Sequence, residues 1–186
     1  MPHTWGATRD AWAHWSTTLG LTEDLLPVVS NPHAEISPDS KLVMLGKVPS
    51  DYNFRRQVRG LPGWTQRTPG QREIDGWAQE PDYGICLQTR NVKALDIDIA
   101  NPRLAKREHT HIESLQPWHV FPARTRPDSG KCLLLFKGPL PTKRVIPVEG
   151  GIIEWLSTGQ QCVVEGTHPG GQRYTWAAGR PNGIEE

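Results

Sequence analysis

From Tyr83 onward the chain alternates short apolar runs with turn-forming residues, and within several runs the apolar period is two. Gly84-Ile85-Cys86-Leu87-Gln88-Thr89 predicts one strand. Val92-Lys93-Ala94-Leu95-Asp96-Ile97-Asp98-Ile99 predicts a second, with β-branched residues flanking two acids. Pro102 to Leu115 predicts a helix with proline in its first turn. Further strands are expected near 120–124, 132–137, 151–156, 161–165 and 173–177. Ser157-Thr158-Gly159-Gln160 reads as a hairpin turn between two of them. Before Tyr83 the pattern is looser. Asp10 to Trp15 predicts a short helix, and Asn31-Pro32, Ser37-Pro38 and Asp39-Ser40 mark turns. Residues 46–53 read as an extended loop, and 72–79 as a helix that stops near Glu80-Pro81. Short strands with intervening helices predict an α+β domain with a mixed or antiparallel sheet.

Composition narrows this picture. Hydrophobic residues make up only 36% of the 186, so the core is expected to be modest and spread over short strands, with eight tryptophans supplying large buried areas. A formal net charge of +1 argues against a binding module that lives on phosphate attraction alone. It argues less against an enzyme whose acidic site cancels nearby lysines and arginines. Cys86, Cys132 and Cys162 are scattered, so neither a zinc ribbon nor a disulfide framework is expected. With no apolar run of spanning length and no signal peptide, the expectation is a soluble, cytoplasmic protein.

Chemistry concentrates on the strand carrying Asp96 and Asp98. Residues two apart on a strand share a face, and two neighbouring carboxylates resist joint ionisation unless a cation sits between them. Mg²⁺ or Mn²⁺ would turn that cost into a pair of hard oxygen ligands. The plainer alternative is a solvent-facing strand edge. Glu154 interrupts the apolar run Ile152-Ile153-Glu154-Trp155-Leu156 and is the candidate third ligand, with an arginine-paired edge residue as its alternative. Three carboxylates from two strands suffice to hold two metals. Between them, Arg124-Thr125-Arg126 and Ser129-Gly130-Lys131 lead into Cys132-Leu133-Leu134-Leu135-Phe136. Arg124, Ser129 and Lys131 supply donors and positive charge for a triphosphate, and Gly130 would let the backbone approach a phosphate closely. Ser-Gly-Lys lacks the glycine spacing of a Walker A loop. His168, in a Gly-rich turn before Tyr174-Thr175-Trp176, is a further candidate donor to phosphate or sugar. Arg55, Arg56 and Arg59, beside Tyr52, Phe54 and Trp64, could meet a single-stranded template by charge and stacking. A solvated basic loop fits that patch equally well.

The order of these motifs resembles the archaeo-eukaryotic primase superfamily, in particular the primase-polymerase domain of phage and plasmid replication proteins. The resemblance rests on Gly84-Ile85, Leu95-Asp96-Ile97-Asp98, Ser129-Gly130-Lys131, Ile153-Glu154 and His168 before Tyr174-Thr175-Trp176, with Gly46-Lys47-Val48-Pro49 upstream. It implies an RNA-recognition-motif-like catalytic sheet joined to an N-terminal α/β unit. For this chain that means one catalytic domain with a lobe at 1–82, a core at 83–178 and a tail or linker at 179–186. It implies metal ligation by Asp96, Asp98 and Glu154, with two Mg²⁺ or Mn²⁺ ions. Nucleotide contacts would come from Arg124, Ser129, Lys131 and His168, and template contacts from Lys47, Arg55, Arg56 and Arg59. Lys131 departs from the family, many members of which carry histidine there. The implied activity is template-directed nucleotidyl transfer in phage or plasmid DNA replication, in the host cytoplasm if phage-encoded. Its partners would be single-stranded template, primer, nucleoside triphosphates and a helicase, fused or separate. Rival readings of the Asp-x-Asp pair are a metal-dependent nuclease, a sugar-nucleotide transferase, and a non-catalytic nucleic-acid-binding domain of the same fold.

Overall fold

A computed structural model of the chain describes residues 5–127, 129–139 and 142–185. In chain order its elements are helix α1 (Arg9–Ala13), strands β1 (Leu25–Val29), β2 (Ser50–Tyr52) and β3 (Val58–Gly60), helix α2 (Gln71–Trp77), strands β4 (Tyr83–Gln88) and β5 (Lys93–Ile99) and helix α3 (Pro102–Leu115). Strands β6 (Ala123–Thr125), β7 (Cys132–Phe136), β8 (Arg144–Val148), β9 (Gly151–Leu156), β10 (Gln161–Glu165) and β11 (Thr175–Trp176) complete them. Every pairing between these strands is antiparallel, so the α+β class stands and the sheets are not mixed. No described helix is long and apolar enough to cross a membrane.

The chain forms two compact units. The first contains the chain up to Gln88 together with Gln161–Tyr174; the second contains Thr89–Gln160 together with the chain from Thr175 on. A single cut at residue 83 therefore does not follow the packing, because β4 and β10 belong with the N-terminal elements.

In the first unit β1, β4 and β10 form a three-stranded sheet with β4 in the middle. All five residues of Leu25-Leu26-Pro27-Val28-Val29 are buried. With no polar alternation to mark it and a proline inside it, this strand is absent from the pattern-based reading; Pro27 is tolerated because β1 is an edge strand. Leu26, Val28, Leu61, Cys86, Val163 and Tyr174 form a core cluster, with Trp64 and Trp77 packed on it. Trp12 and Trp15 are fully buried, and Trp15 donates its indole N–H to Glu165 at 3.3 Å. The stretch read as an extended loop contains β2, which pairs with β3 in a separate hairpin.

The second unit is a six-stranded sheet in the order β11-β6-β7-β5-β9-β8. Helix α3 begins where the sequence predicts it. Asn101 Oδ1 accepts from the backbone N–H groups of Arg103 at 3.0 Å and Leu104 at 3.3 Å, and Pro102 occupies the first turn. Its Leu104, Ala105 and Ile112 pack on Leu95, Ile97, Ile99, Leu134 and Ile153, which cover one face of the sheet. Burying a side chain of this size contributes about 1.5–3 kcal/mol, so this layer fixes which face of β5 remains for chemistry.

One turn prediction is overturned. Ser157–Gln160 does turn, with Gln160 N–H donating to the Ser157 carbonyl at 3.0 Å. It does not close a hairpin, because β9 pairs with β5 and β8 whereas β10 pairs with β4 in the other unit. Turn chemistry is local and says nothing about which sheet the next strand joins. The hairpin is instead β8–β9, closed at Glu149-Gly150, where Gly150 has φ +81°.

Candidate active site

The face of β5 opposite α3 carries Asp96 and Asp98, both half-buried between buried neighbours. Pairing register then assembles the rest of the site. Asp96 lies directly opposite Glu154 on β9 and opposite Leu133 on β7, and Leu133 lies opposite Arg124 on β6. Directly paired residues share a face, so Arg124, Leu133, Asp96 and Glu154 form one row across four strands. Arg124 starts two strands from Asp96, about 10 Å away at the backbone, a span its long side chain can bridge. Further along the same face, Ala94 pairs with Leu135 and Leu156, all three buried. The carboxylates thus stand at the margin of an apolar floor.

Cations accompany the acids. Lys131, just before β7, pairs with Asp98, and Lys143, just before β8, holds Glu154 at 2.6 Å. Lys143 is missing from the sequence reading. Nothing in Thr142-Lys143-Arg144 distinguishes it until register puts β8 beside β9 with Val145 opposite Glu154. Among the described residues, Arg124, Lys131 and Lys143 therefore share this face with Asp96, Asp98 and Glu154.

The donor set fits a hard divalent cation: three carboxylates from adjacent strands and no thiolate. Cys132 points into the α3-side core. Burial, with Asp96 nearby as a smaller cause, pushes its thiol up to about 12, so it stays protonated and supplies no soft ligand. Among the described residues no three His, Cys, Asp or Glu side chains already stand as a metal-holding group. Asp98 and Glu154 are turned to their lysines, so ligation requires side-chain rotation about a backbone frame that is in place.

The remaining candidates divide clearly. Ser129 Oγ accepts from the Lys131 backbone N–H at 3.2 Å, which shapes the turn into β7. Gly130 is half-buried. A Cβ there would lie 2.7 Å from Pro102 Cα and 3.2 Å from Ala105 Cβ, so the glycine also serves the close packing of α3. His168 belongs to the first unit. Its Nδ1 accepts from Gly170 N–H at 3.0 Å and its ring meets Tyr174 edge-on at 5.9 Å. Lys47, also in the first unit, is exposed, and its carbonyl accepts from Gln161 Nε2 at 2.8 Å. Arg56 is held by Glu80 at 2.6 and 2.8 Å and by Asp82 at 3.6 Å, and Arg59 by Asp51 at 2.8 Å. Arg59 therefore braces its own hairpin, and Arg56 ties that hairpin to the segment just before β4. Arg55 is exposed, with its guanidinium 5.2 Å over the Phe54 ring. A cavity of about 340 Å³ lined by Leu95, Ile112, Phe121, Leu134, Phe136 and Trp155 opens on the α3 side of the sheet, away from the carboxylates.

A family model for the N-terminal domain of bifunctional DNA primase/polymerases, Prim-Pol, matches residues 24–186. The chain belongs to the Prim-Pol family. A search of curated proteins returned no match. Membership makes this Prim-Pol domain a DNA primase/polymerase-type nucleotidyltransferase by family, with DNA and nucleotides as the implied substrates. Both β5 and β9 fall inside the matched region, as do α3, Arg124, Lys131 and Lys143.

Proposed function

We propose that this Prim-Pol domain adds nucleotides to a DNA primer on a single-stranded template, with two Mg²⁺ or Mn²⁺ ions held by Asp96, Asp98 and Glu154. The observation that carries the reading is the register that sets Glu154 directly opposite Asp96, with Asp98 on the same face of β5. Bound there, a pair of divalent ions supplies acidity to a 3′-hydroxyl and neutralises the triphosphate. The protein's share is positioning and charge, since phosphoryl transfer asks little covalent chemistry of it. Lys131 and Arg124 place cations on the flank of the acids, where the α-phosphate would be attacked and pyrophosphate released. Ser129 retains its hydroxyl proton to donate to a phosphate oxygen. The setting would be phage or plasmid replication in the cytoplasm, alongside a helicase.

Primer extension on single-stranded DNA with Mn²⁺ tests this. Asp96→Asn, Asp98→Asn and Glu154→Gln should each lower incorporation by about 100-fold or more, beyond the 10- to 100-fold typical of losing a group that only supports a metal ligand. The far-ultraviolet circular dichroism should be unchanged. Wild-type incorporation by both aspartate variants would end the assignment. Nucleotide-independent degradation of the DNA would point instead to a nuclease.

A further inference from the structure

The β2–β3 hairpin is built to hold one aromatic ring in solvent. Its loop, Asn53 to Gln57, is tied from within: Asn53 Oδ1 accepts from the backbone N–H groups of Arg55 and Gln57, each at 2.9 Å. Asn53 N–H donates to the Gln57 carbonyl at 2.8 Å, and Arg56 N–H to the Asn53 carbonyl at 3.0 Å. Arg56 is the only described non-glycine residue with positive φ, +61°, a backbone state that L side chains rarely adopt. It is clamped there by its two bonds to Glu80 and by stacking of its guanidinium 4.2 Å over Tyr52. The Tyr52 hydroxyl in turn donates to Asp82 at 2.6 Å.

A strained residue held by an ion pair, a stack and a buried-side hydrogen bond is a costly way to make a simple turn. Its effect is to project Phe54, which is 92% exposed, with the Arg55 guanidinium over its ring. Phe54 adds nothing to the core. The neighbouring carboxylates are engaged elsewhere: Asp51 is paired with Arg59, Glu80 with Arg56, and Glu35 accepts from Gln57 Nε2 at 3.1 Å. The tip therefore offers a flat apolar ring beside a single positive charge on a rigid support.

We propose that Phe54 and Arg55 form a contact site for single-stranded DNA, Phe54 stacking on a base and Arg55 meeting the adjacent phosphate. Every base has a π-face, so such a contact is tolerant of sequence, and it excludes duplex, whose bases are already stacked. This rests on the reading of the chain as acting on a DNA template, but the site is separate from the carboxylates and needs neither metal nor nucleotide.

Binding of fluorescein-labelled oligothymidylate, followed by anisotropy in EDTA, tests the site independently of catalysis. Phe54→Ala is expected to weaken binding about ten-fold. Phe54→Trp should preserve it, and Phe54→Leu should be as weak as alanine, because apolar bulk without a π-face does not stack. Arg55→Ala should lower the slope of log affinity against log salt by about 1. Sedimentation should be the same for all variants. Wild-type affinity in Phe54→Ala or Phe54→Leu overturns the proposal. So does a change of oligomeric state in place of a change in DNA affinity, which would make the tip a protein contact. If Asp96→Asn kept wild-type incorporation while Phe54→Ala lost DNA, only the metal-site reading would fall.

Discussion

Replacing Lys131 with alanine separates a structural ion pair from a catalytic cation. The lysine and its partner Asp98 are 39% and 41% exposed at their side chains. A pair so open to water contributes about 0–1 kcal/mol to stability. For a protein of this size 1 kcal/mol is roughly 2–4 °C, so Lys131→Ala should lower the melting temperature by no more than about 4 °C. If the ammonium instead meets a triphosphate oxygen during the reaction, a charge-assisted hydrogen bond of about 1.5–3 kcal/mol is lost. At 1.36 kcal/mol per decade that is roughly a 10- to 150-fold fall in kcat/KM for the nucleotide. Lys131→Arg, which keeps the charge, should recover part of it. Primer extension at graded nucleotide concentrations, with a thermal melt of the same preparations, reads both quantities. A kcat/KM within about two-fold of wild type would remove Lys131 from the nucleotide site, since the smallest charge-assisted contact is worth more. A melting temperature lowered well beyond the pair's worth would show that the activity loss came through the fold.

Other parts of the molecule give sharp expectations. Leu134, 1% exposed in the layer under α3, should cost about 2–5 kcal/mol when cut to alanine, read as a lowered denaturation midpoint in urea. Glu80 has its pKa lowered chiefly by the hydrogen bonds from Arg56, so its stabilisation is complete above the ordinary glutamate range and is lost as pH falls through the lowered value. Unfolding midpoints between neutral and acid pH should therefore fall less steeply in Glu80→Gln than in wild type; identical slopes would refute the assignment. Cys132, buried and with its thiol pushed up to about 12, should resist iodoacetamide at neutral pH in the folded protein and react once it is unfolded. Prompt labelling of Cys132 in the native state would contradict its burial.

The sequence by itself determined the elements that local physics controls. Period-two alternation from Leu95 to Ile99 put Asp96 and Asp98 on one face and the aliphatics on the other. Proline at position 102 after Asn101 placed the start of α3. The motif order sufficed to suggest the family. It did not show β1, whose uniform burial erases alternation, or β8, an edge strand that is largely exposed. The tertiary structure decided everything that depends on which strand lies beside which. Register is non-local, so only the fold could bring Glu154 opposite Asp96, reveal Lys143 against Glu154, and send β10 to a different sheet from β9. It also decided among the basic residues of one short patch. Arg59 meets Asp51 across its own hairpin, Arg56 meets Glu80 from the segment before β4, and Arg55 is left beside an exposed ring, because a guanidinium's partner is set by distance in space and not along the sequence.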